Sequence, residues 1–243
     1  YFEKENDNLF DAQLNKYQKI AESLNLNENS KVLEIGCGWG GFSTYAAKNF
    51  KSKIDAITIS KAQFEYASNK IQKEGLGEKV SIKFKDYRDI ENKYSNIASI
   101  EMFEAVGKKY WEKYFEIVKK SLVSSGKAAL QIITIDEKRS SNYQNQPDFI
   151  QQYIFPGGML PTKNELSKIN KKTGLEFKEI KSFGLSYAKT LNLWNVQFQN
   201  SWNDLVNLGF NERFKRMWEF YLAYCETGFI SKSTDVSHFL IKK

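Results

Sequence analysis

The chain is poor in the residues that most often announce a chemistry. It has one histidine, His238, two cysteines, Cys37 and Cys225, and three prolines. The single imidazole lies in the last expected strand and reads as structural, which leaves no histidine-based catalytic dyad, and two separated thiols give neither a disulfide framework nor metal-ligand spacing, so no metal is expected. Without a secretory signal, this cysteine usage fits a reducing cytoplasm. No run reaches about 18 apolar residues, so nothing in the sequence spans a bilayer and any membrane contact is expected to be peripheral. Arginine is scarce, confined to Arg88, Arg139, Arg213 and Arg216, although the formal net charge is +7. A basic balance suits polyanions. With no arginine-rich tract or zinc-finger spacing, nucleic acid is not an expected partner, whereas an anionic membrane surface remains compatible. The sequence opens on Tyr1 rather than methionine, and an upstream segment is expected.

What is present is enough apolar content for one domain over 1–243: 243 residues at 41% hydrophobic suit a single core. The prolines (Pro147, Pro156, Pro161) fall in one stretch with Gly157 and Gly158, so 136–161 reads as an irregular insertion. Around it, strands and helices alternate. The helical pattern at 9–24 sets Phe10, Leu14, Tyr17, Ala21 and Leu24 at helical spacing. Further helices are expected at 42–49, 62–72, 110–122, 162–172, 188–206 and 210–227. Strands are expected at 31–36, 54–59, 80–84, 97–100, 128–135, 176–182 and 236–241, the fifth very apolar and therefore central. This alternation predicts an α/β fold with an open, seven-stranded, mostly parallel sheet and helices on both faces.

The most informative local motif is Val32-Leu33-Glu34-Ile35-Gly36-Cys37-Gly38-Trp39-Gly40-Gly41. Glycines at a strand-to-helix turn let the backbone approach a ligand closely. Gly36, Gly38 and Gly41 also satisfy the dinucleotide spacing. A dinucleotide site wants an acid about 20 residues on, and the second strand ends Ile57-Thr58-Ile59-Ser60 without one. Glu34, two residues before the first glycine, favours S-adenosylmethionine instead, either orienting the loop or reaching the cofactor's amino group. Ligands of open sheets bind at strand C-termini. Gly36, Cys37 and Gly38 are therefore expected along the methionine moiety, Thr58, Ser60 and Gln63 at the ribose, and Tyr87 and Arg88 beside the adenine. Taken alone, Asp86-Tyr87-Arg88-Asp89 is a solvated loop.

These motifs resemble the cyclopropane-fatty-acyl-phospholipid synthases and mycolic acid cyclopropane synthases along essentially the whole chain. The markers are Tyr1-Phe2-Glu3, the glycine loop, Thr58 to Gln63, Asp86 to Asp89, and Ser99-Ile100-Glu101-Met102-Phe103-Glu104. Downstream come Tyr153 to Gly158 with Leu160-Pro161, Tyr187 to Leu191 with Trp194, and Phe214 to Trp218. The glycine loop is generic to methyltransferases; Tyr153 to Gly158 with Leu160-Pro161, and Tyr187 to Leu191 with Trp194, are far more specific. The resemblance implies a Rossmann-like class I methyltransferase fold with an inserted lipid-pocket segment. It implies transfer of the cofactor's methyl carbon to the cis double bond of a phospholipid acyl chain, with closure to a cyclopropane.

An alkene is a poor nucleophile, so such an enzyme gains chiefly by positioning. The carbocation left behind suits aromatic faces, for which Tyr153, Phe155, Phe183, Tyr187 and Trp194 are candidates. In the resembled family a bicarbonate ion takes the last proton. The resemblance places Glu104 and Tyr187 on side chains that bind that ion and Ile133 on a backbone donor to it. The apolar setting of Glu104 argues that it faces a pocket. Gln131 stands where the family often has histidine; glutamine donates a hydrogen bond but does not titrate. Ser186 likewise replaces a common histidine, and His238 reads as structural. Methylation of the same alkene to a methyl- or methylene-branched chain, methylation of another small molecule, and a lipid-binding module without catalysis are the alternatives.

Acyl chains lie in bilayers, so the resemblance also implies a cytoplasmic protein peripheral to the inner face of the membrane, and a possible homodimer. Residues 210–222, with Phe210, Phe214, Met217 and Trp218 interleaved with Arg213, Lys215 and Arg216, either lie on an anionic surface or, the preferred reading, pack on the sheet with snorkelling basic side chains. The stretch Phe149–Leu160 is the expected wall of an acyl-chain pocket.

Overall fold

The computed structural model describes residues 1–243. In chain order the elements are α1 (Leu9–Leu24), β1 (Lys31–Ile35), α2 (Gly41–Phe50), β2 (Lys53–Thr58), α3 (Lys61–Lys73), β3 (Val80–Phe84) and β4 (Tyr94–Ile100). There follow α4 (Trp111–Ser121), β5 (Leu122–Ile135), α5 (Glu137–Asn145), α6 (Lys163–Thr173), β6 (Glu176–Ser182), α7 (Gly184–Asn200), α8 (Trp202–Asn207), α9 (Glu212–Ile230) and β7 (Thr234–Lys242). All seven strands form one sheet in the order β3-β2-β1-β4-β5-β7-β6. It is parallel through β5 and antiparallel where β7 joins β5 and β6.

The central strands are apolar on both sides because both faces are covered. Adjacent residues of β1 serve different cores. Val32 packs with Ile20, Leu24, Phe42 and Ile71 from α1, α2 and α3. Leu33 packs with Trp111, Tyr114, Phe115 and Leu166 from α4 and α6. A third core joins α7, α9 and β7 through Leu191, Leu222, Phe229 and Val236. No helix is long and apolar enough to cross a membrane.

Three expectations change. First, α1 has the expected bounds, but its buried stripe is Ala12, Ile20, Ala21 and Leu24, and Phe10 is exposed. Asn8 caps this helix, and the capping box fixes which residues turn inward. Second, the insertion is not irregular throughout. Asp136 accepts from Lys138 N to start α5, and Ile150–Ile154 forms one π-helical turn. Third, the helix expected at 188–206 begins at Gly184 and breaks at Ser201 into α7 and α8. Its start is held by Asp235, whose Oδ1 accepts from Gly184 N at 3.2 Å. Tyr187 therefore lies in the first turn of α7. In α9, Phe214 stacks on Trp218 and Trp218 meets Tyr221 beside the third core, so the helix packs chiefly on α7 rather than on the sheet.

Candidate active site

Strands β1 and β4 are neighbours, but the chain leaves them toward opposite faces, into α2 and α4 respectively. Such a switch point opens a crevice at the strand C-termini, where ligands of open sheets bind. One wall is the glycine loop after β1. The other is the turn Glu101–Ala105 after β4. The two touch: a Cβ on Gly36 would lie 2.6 Å from Cγ of Met102.

On the first wall, Gly36, Gly38 and Gly40 have φ of +79°, +52° and +75°, values that disfavour other residues. The amides of Gly36 and Cys37 both donate to Ile57 O at 3.0 Å, which pins the loop to β2. Cys37 is buried in the core beneath α2, so only its backbone faces the crevice. A Cβ on Gly38 would meet nothing within 4 Å. Thr58, Ser60 and Gln63 form a compact cap at the end of β2. Thr58 Oγ1 donates to Gln63 Oε1 at 2.8 Å and accepts from Ser60 N at 3.1 Å, while Ser60 Oγ accepts from Gln63 N. Tyr87 packs edge-on against Tyr114. Arg88 is committed to Asp86 through two hydrogen bonds of 3.0 and 2.7 Å, so its guanidinium is turned onto its own loop. Positive-φ glycines, with open space above Gly38, and a polar cap beside them fit S-adenosylmethionine.

Glu34 holds the loop from beneath: its carboxyl accepts from Ser43 Oγ in the first turn of α2, with only 2% of the residue exposed. Of its two expected roles, this is loop orientation. Burial pushes its pKa up to about 8, against the opposing hydrogen bonds from Ser43. A folded-state pKa above the unfolded one stabilises fully below about 4.5, and that contribution is lost as pH rises through about 8. Melting the protein between about pH 6 and about pH 9 is expected to show a loss of stability of which Glu34 contributes roughly 3 kcal/mol. Glu34→Gln is expected to fall clearly less, and parallel curves would show that Glu34 is ionised throughout.

The second wall gathers side chains from four strands and helices. Glu104 Oε1 accepts from Ile133 N at 2.6 Å, and Glu104 Oε2 is buried with no partner. Gln131 is wholly buried. Its Nε2 donates to Glu101 Oε1 and to Tyr187 Oη, each at 2.5 Å, and its Oε1 accepts from His238 Nε2 at 2.8 Å. Tyr187 Oη in turn donates to the same Glu101 oxygen. Burial depresses the His238 pKa to about 3, so the ring is neutral and its Nε2–H is the donor. The histidine thus fixes which way the Gln131 amide points, a positioning role beyond the structural one expected for it.

The two carboxyls do not share one state. Burial first, and then the charge of Glu101, push Glu104 up to about 8. Burial raises Glu101 as well, opposed by the charge of Lys16, the hydrogen bond from Gln131 and the N-terminal ammonium. Like charges this close disfavour double ionisation, and the two donors on Glu101 Oε1, against the unpartnered Oε2 of Glu104, favour the charge on Glu101.

The expected quartet of Glu104, Gln131, Ile133 and Tyr187 is therefore assembled, but its donors are engaged. Tyr187 and Gln131 donate to Glu101, and Ile133 donates to Glu104. A bicarbonate ion would find those donors taken and two carboxyls around it. This arrangement does not fit the ion, and no step is derived through it.

Two contributors went unassigned in the sequence. Glu101 sits at the C-terminal end of β4, three residues before Glu104, where the strand-end rule already pointed. Lys16 falls at the four-residue spacing of Ala12, Ile20 and Leu24 on the inner stripe of α1. A lysine on such a stripe is itself a signal. Burial lowers the Lys16 pKa, against the charges of Glu101 and Glu34.

Comparison with known proteins agrees with this geometry. The family model for mycolic acid cyclopropane synthetase matches residues 1–239. The tuberculostearic acid methyltransferase of Mycobacterium tuberculosis is 38% identical over 226 residues, covering 93% of this chain and 53% of that protein. The cyclopropane-fatty-acyl-phospholipid synthase of Escherichia coli K12 is 35% identical over 233 residues, covering 96% of this chain and 58% of that one. This chain thus spans little more than half the length of those two relatives. The solved structure of a cyclopropane synthase from M. tuberculosis superposes with a TM-score of 0.92 at 25% identity, over 100% of this chain and 88% of the other. With the family model spanning nearly the whole chain and the fold shared, the chain belongs to the mycolic acid cyclopropane synthetase family of S-adenosylmethionine-dependent transferases.

Proposed function

We propose that this chain adds the methyl carbon of S-adenosylmethionine to the cis double bond of an unsaturated phospholipid acyl chain and completes the reaction by removing one proton. The observation that carries this reading is the placement of the insertion. Met159 N donates to Glu104 O at 2.8 Å. Phe149 packs on Phe220 at 4.7 Å, and Phe155 on Tyr221 at 6.2 Å. An apolar wall therefore stands directly beside the carboxyl pair, as a long acyl chain with one reactive bond requires. Tyr153 and Phe155 remain more than half exposed, which suits entry of the chain from a membrane surface.

Bound S-adenosylmethionine supplies an electrophilic methyl carbon. The backbone of Gly36 to Gly38 would hold it, with the Thr58, Ser60 and Gln63 cap alongside. The apolar wall excludes water and aligns the double bond. The ionised carboxylate of Glu101 and the ring face of Tyr187 stabilise the positive charge that develops on the chain. Closure to a cyclopropane is the first outcome. A methylene-branched chain is the second, and one observation favours it. Gln131, held between His238 and Glu101, cannot titrate as the histidine often found at this place in the family would.

The test is mass spectrometry of phospholipid from vesicles of cis-unsaturated acyl chains, incubated with the protein and methyl-deuterated cofactor. A gain of one CH₂ unit that keeps two of the three methyl deuteriums supports the proposal. Resistance to hydrogenation then marks the ring, and uptake of hydrogen marks the methylene branch. No label in lipid would defeat it.

A further inference from the structure

We propose that Glu101 is the built-in base of this site, occupying with its own carboxylate the position of an exchangeable anion. The assignment rests on the proposed alkene methylation. Glu101 Oε1 takes both available donors, the Gln131 amide at 2.5 Å and the Tyr187 hydroxyl. No hydrogen bond reaches Oε2. The residue is nevertheless open to solvent, so Oε2 presents free lone pairs to the crevice.

The backbone at this point is unusual. Glu101 has φ +52°, a left-handed conformation that costs a residue with a Cβ roughly 1–2 kcal/mol. Strain of this kind persists where the surroundings over-determine it. Here Glu101 N donates to Gln131 O at 2.9 Å while the Gln131 side chain grips the carboxylate. Two bonds from one residue hold both ends of Glu101. His238, in register with Gln131 across the β5–β7 pair, holds Gln131 itself.

The two donors on Oε1 favour the ionised form of Glu101, against the burial that raises its pKa. Lys16 on α1 and the N-terminal ammonium of Tyr1 also favour the carboxylate. Glu104 on the other side, pushed up to about 8, is left with the proton.

The proton-removal step balances without an outside reagent. After methyl addition the acyl chain carries one carbocation and the cofactor leaves as a neutral thioether. A C–H bond of the added methyl then breaks and its proton passes to Glu101 Oε2. The bond's electron pair closes the three-membered ring onto the cationic carbon. Alternatively, after a hydride shifts between the two former alkene carbons, that pair forms a C=C bond to the methyl-derived carbon. In both cases the carboxylate ends as a carboxylic acid and releases its proton to water in the crevice. The proton of an alkyl cation is so acidic that a carboxylate in contact is a sufficient base.

The experiment uses purified protein with vesicles of dioleoyl phosphatidylglycerol and labelled cofactor, in buffer stripped of carbon dioxide, with and without about 20 mM bicarbonate, an anion range chosen to exceed weak binding. Wild type is expected to label lipid at the same rate, within twofold, in both buffers. Glu101→Gln is expected to lose about 10²-fold or more in turnover, with cofactor affinity and melting temperature retained. Glu101→Gly accepts the positive φ and leaves the two donors free. It is expected to lose as much without bicarbonate and to recover at least tenfold with it, a rescue that a merely structural role would not produce. A wild type that labels lipid but needs added bicarbonate would overturn the assignment, as would Glu101→Gln labelling lipid at the wild-type rate. A wild type that leaves lipid unlabelled in both buffers would instead overturn the proposed function, and the base with it.

Discussion

Gly38→Val is expected to weaken S-adenosylmethionine binding by about 10²-fold or more while lowering stability only modestly. The structure separates Gly38 from its neighbour in this respect. A Cβ on Gly38 meets no protein atom within 4 Å, so the side chain would project into the crevice where the backbone must approach the ligand. Its folding cost is the left-handed strain at φ +52°, about 1–2 kcal/mol. Gly36 is different, because its Cβ would stand 2.6 Å from Met102 Cγ and 2.9 Å from Met102 Cβ. Gly36→Val therefore adds overpacking of about 1–3 kcal/mol to the strain and pushes on the turn that carries Glu101 and Glu104. It should lose stability and binding together. Calorimetric titration of the cofactor, paired with thermal melts, reads both quantities. Normal cofactor affinity in Gly38→Val would remove the loop from the cofactor site. An unchanged melting temperature in Gly36→Val would show that the two walls do not bear on each other.

The contrast between those glycines was not visible in the sequence, where both belong to one motif. The central strands were visible because buried parallel strands are near-continuous apolar runs, as in β1, β4 and β5, whereas the exposed edge strand β6 shows only Phe177 and Ile180 among polar residues. Element α5 was not visible: Glu137-Lys138-Arg139-Ser140-Ser141-Asn142-Tyr143-Gln144-Asn145 has no apolar stripe to give a period. It is held by its Asp136 cap and by Tyr143, whose hydroxyl accepts from Leu160 N at 3.2 Å. The start of α7 was hidden for the opposite reason, since Gly184 reads as a breaker until Asp235, 51 residues away, supplies the acceptor for its amide. The same distance effect governs the site. Glu104, Gln131, Ile133 and Tyr187 were each found by resemblance, yet their hydrogen bonds follow from pairings that no local pattern encodes. Gln131 and His238 are 107 residues apart and meet only because β7 runs antiparallel beside β5. A lone histidine looked inert in the sequence because its partner was invisible there.

Glu104→Ala is expected to lower turnover by about 10²-fold or more and to cost about 1–3 kcal/mol of stability. The stability loss follows from Ile133 N, which donates to Glu104 Oε1 at 2.6 Å and would lose its only acceptor inside a covered wall. The turnover loss follows from geometry. That bond ties the end of β5 to the turn after β4, and so keeps Gln131, two residues earlier, in reach of Glu101. Glu104→Gln separates shape from charge. With its pKa pushed up to about 8 by burial and by Glu101, Glu104 is mainly a neutral acid at about pH 7, and a glutamine keeps the acceptor for Ile133. The glutamine variant should therefore stay within about tenfold of wild type near pH 7. The pH profiles should then part. Wild type is expected to fall as pH rises through about 8, because an ionised Glu104 sets a second negative charge beside Glu101 while its Oε2 has no donor. Glu104→Gln has no proton to lose and should stay flat across that range. A 10²-fold loss in Glu104→Gln near pH 7, with cofactor affinity intact, would mean that Glu104 works as a charge, and the division of labour between the two carboxyls would have to be reversed.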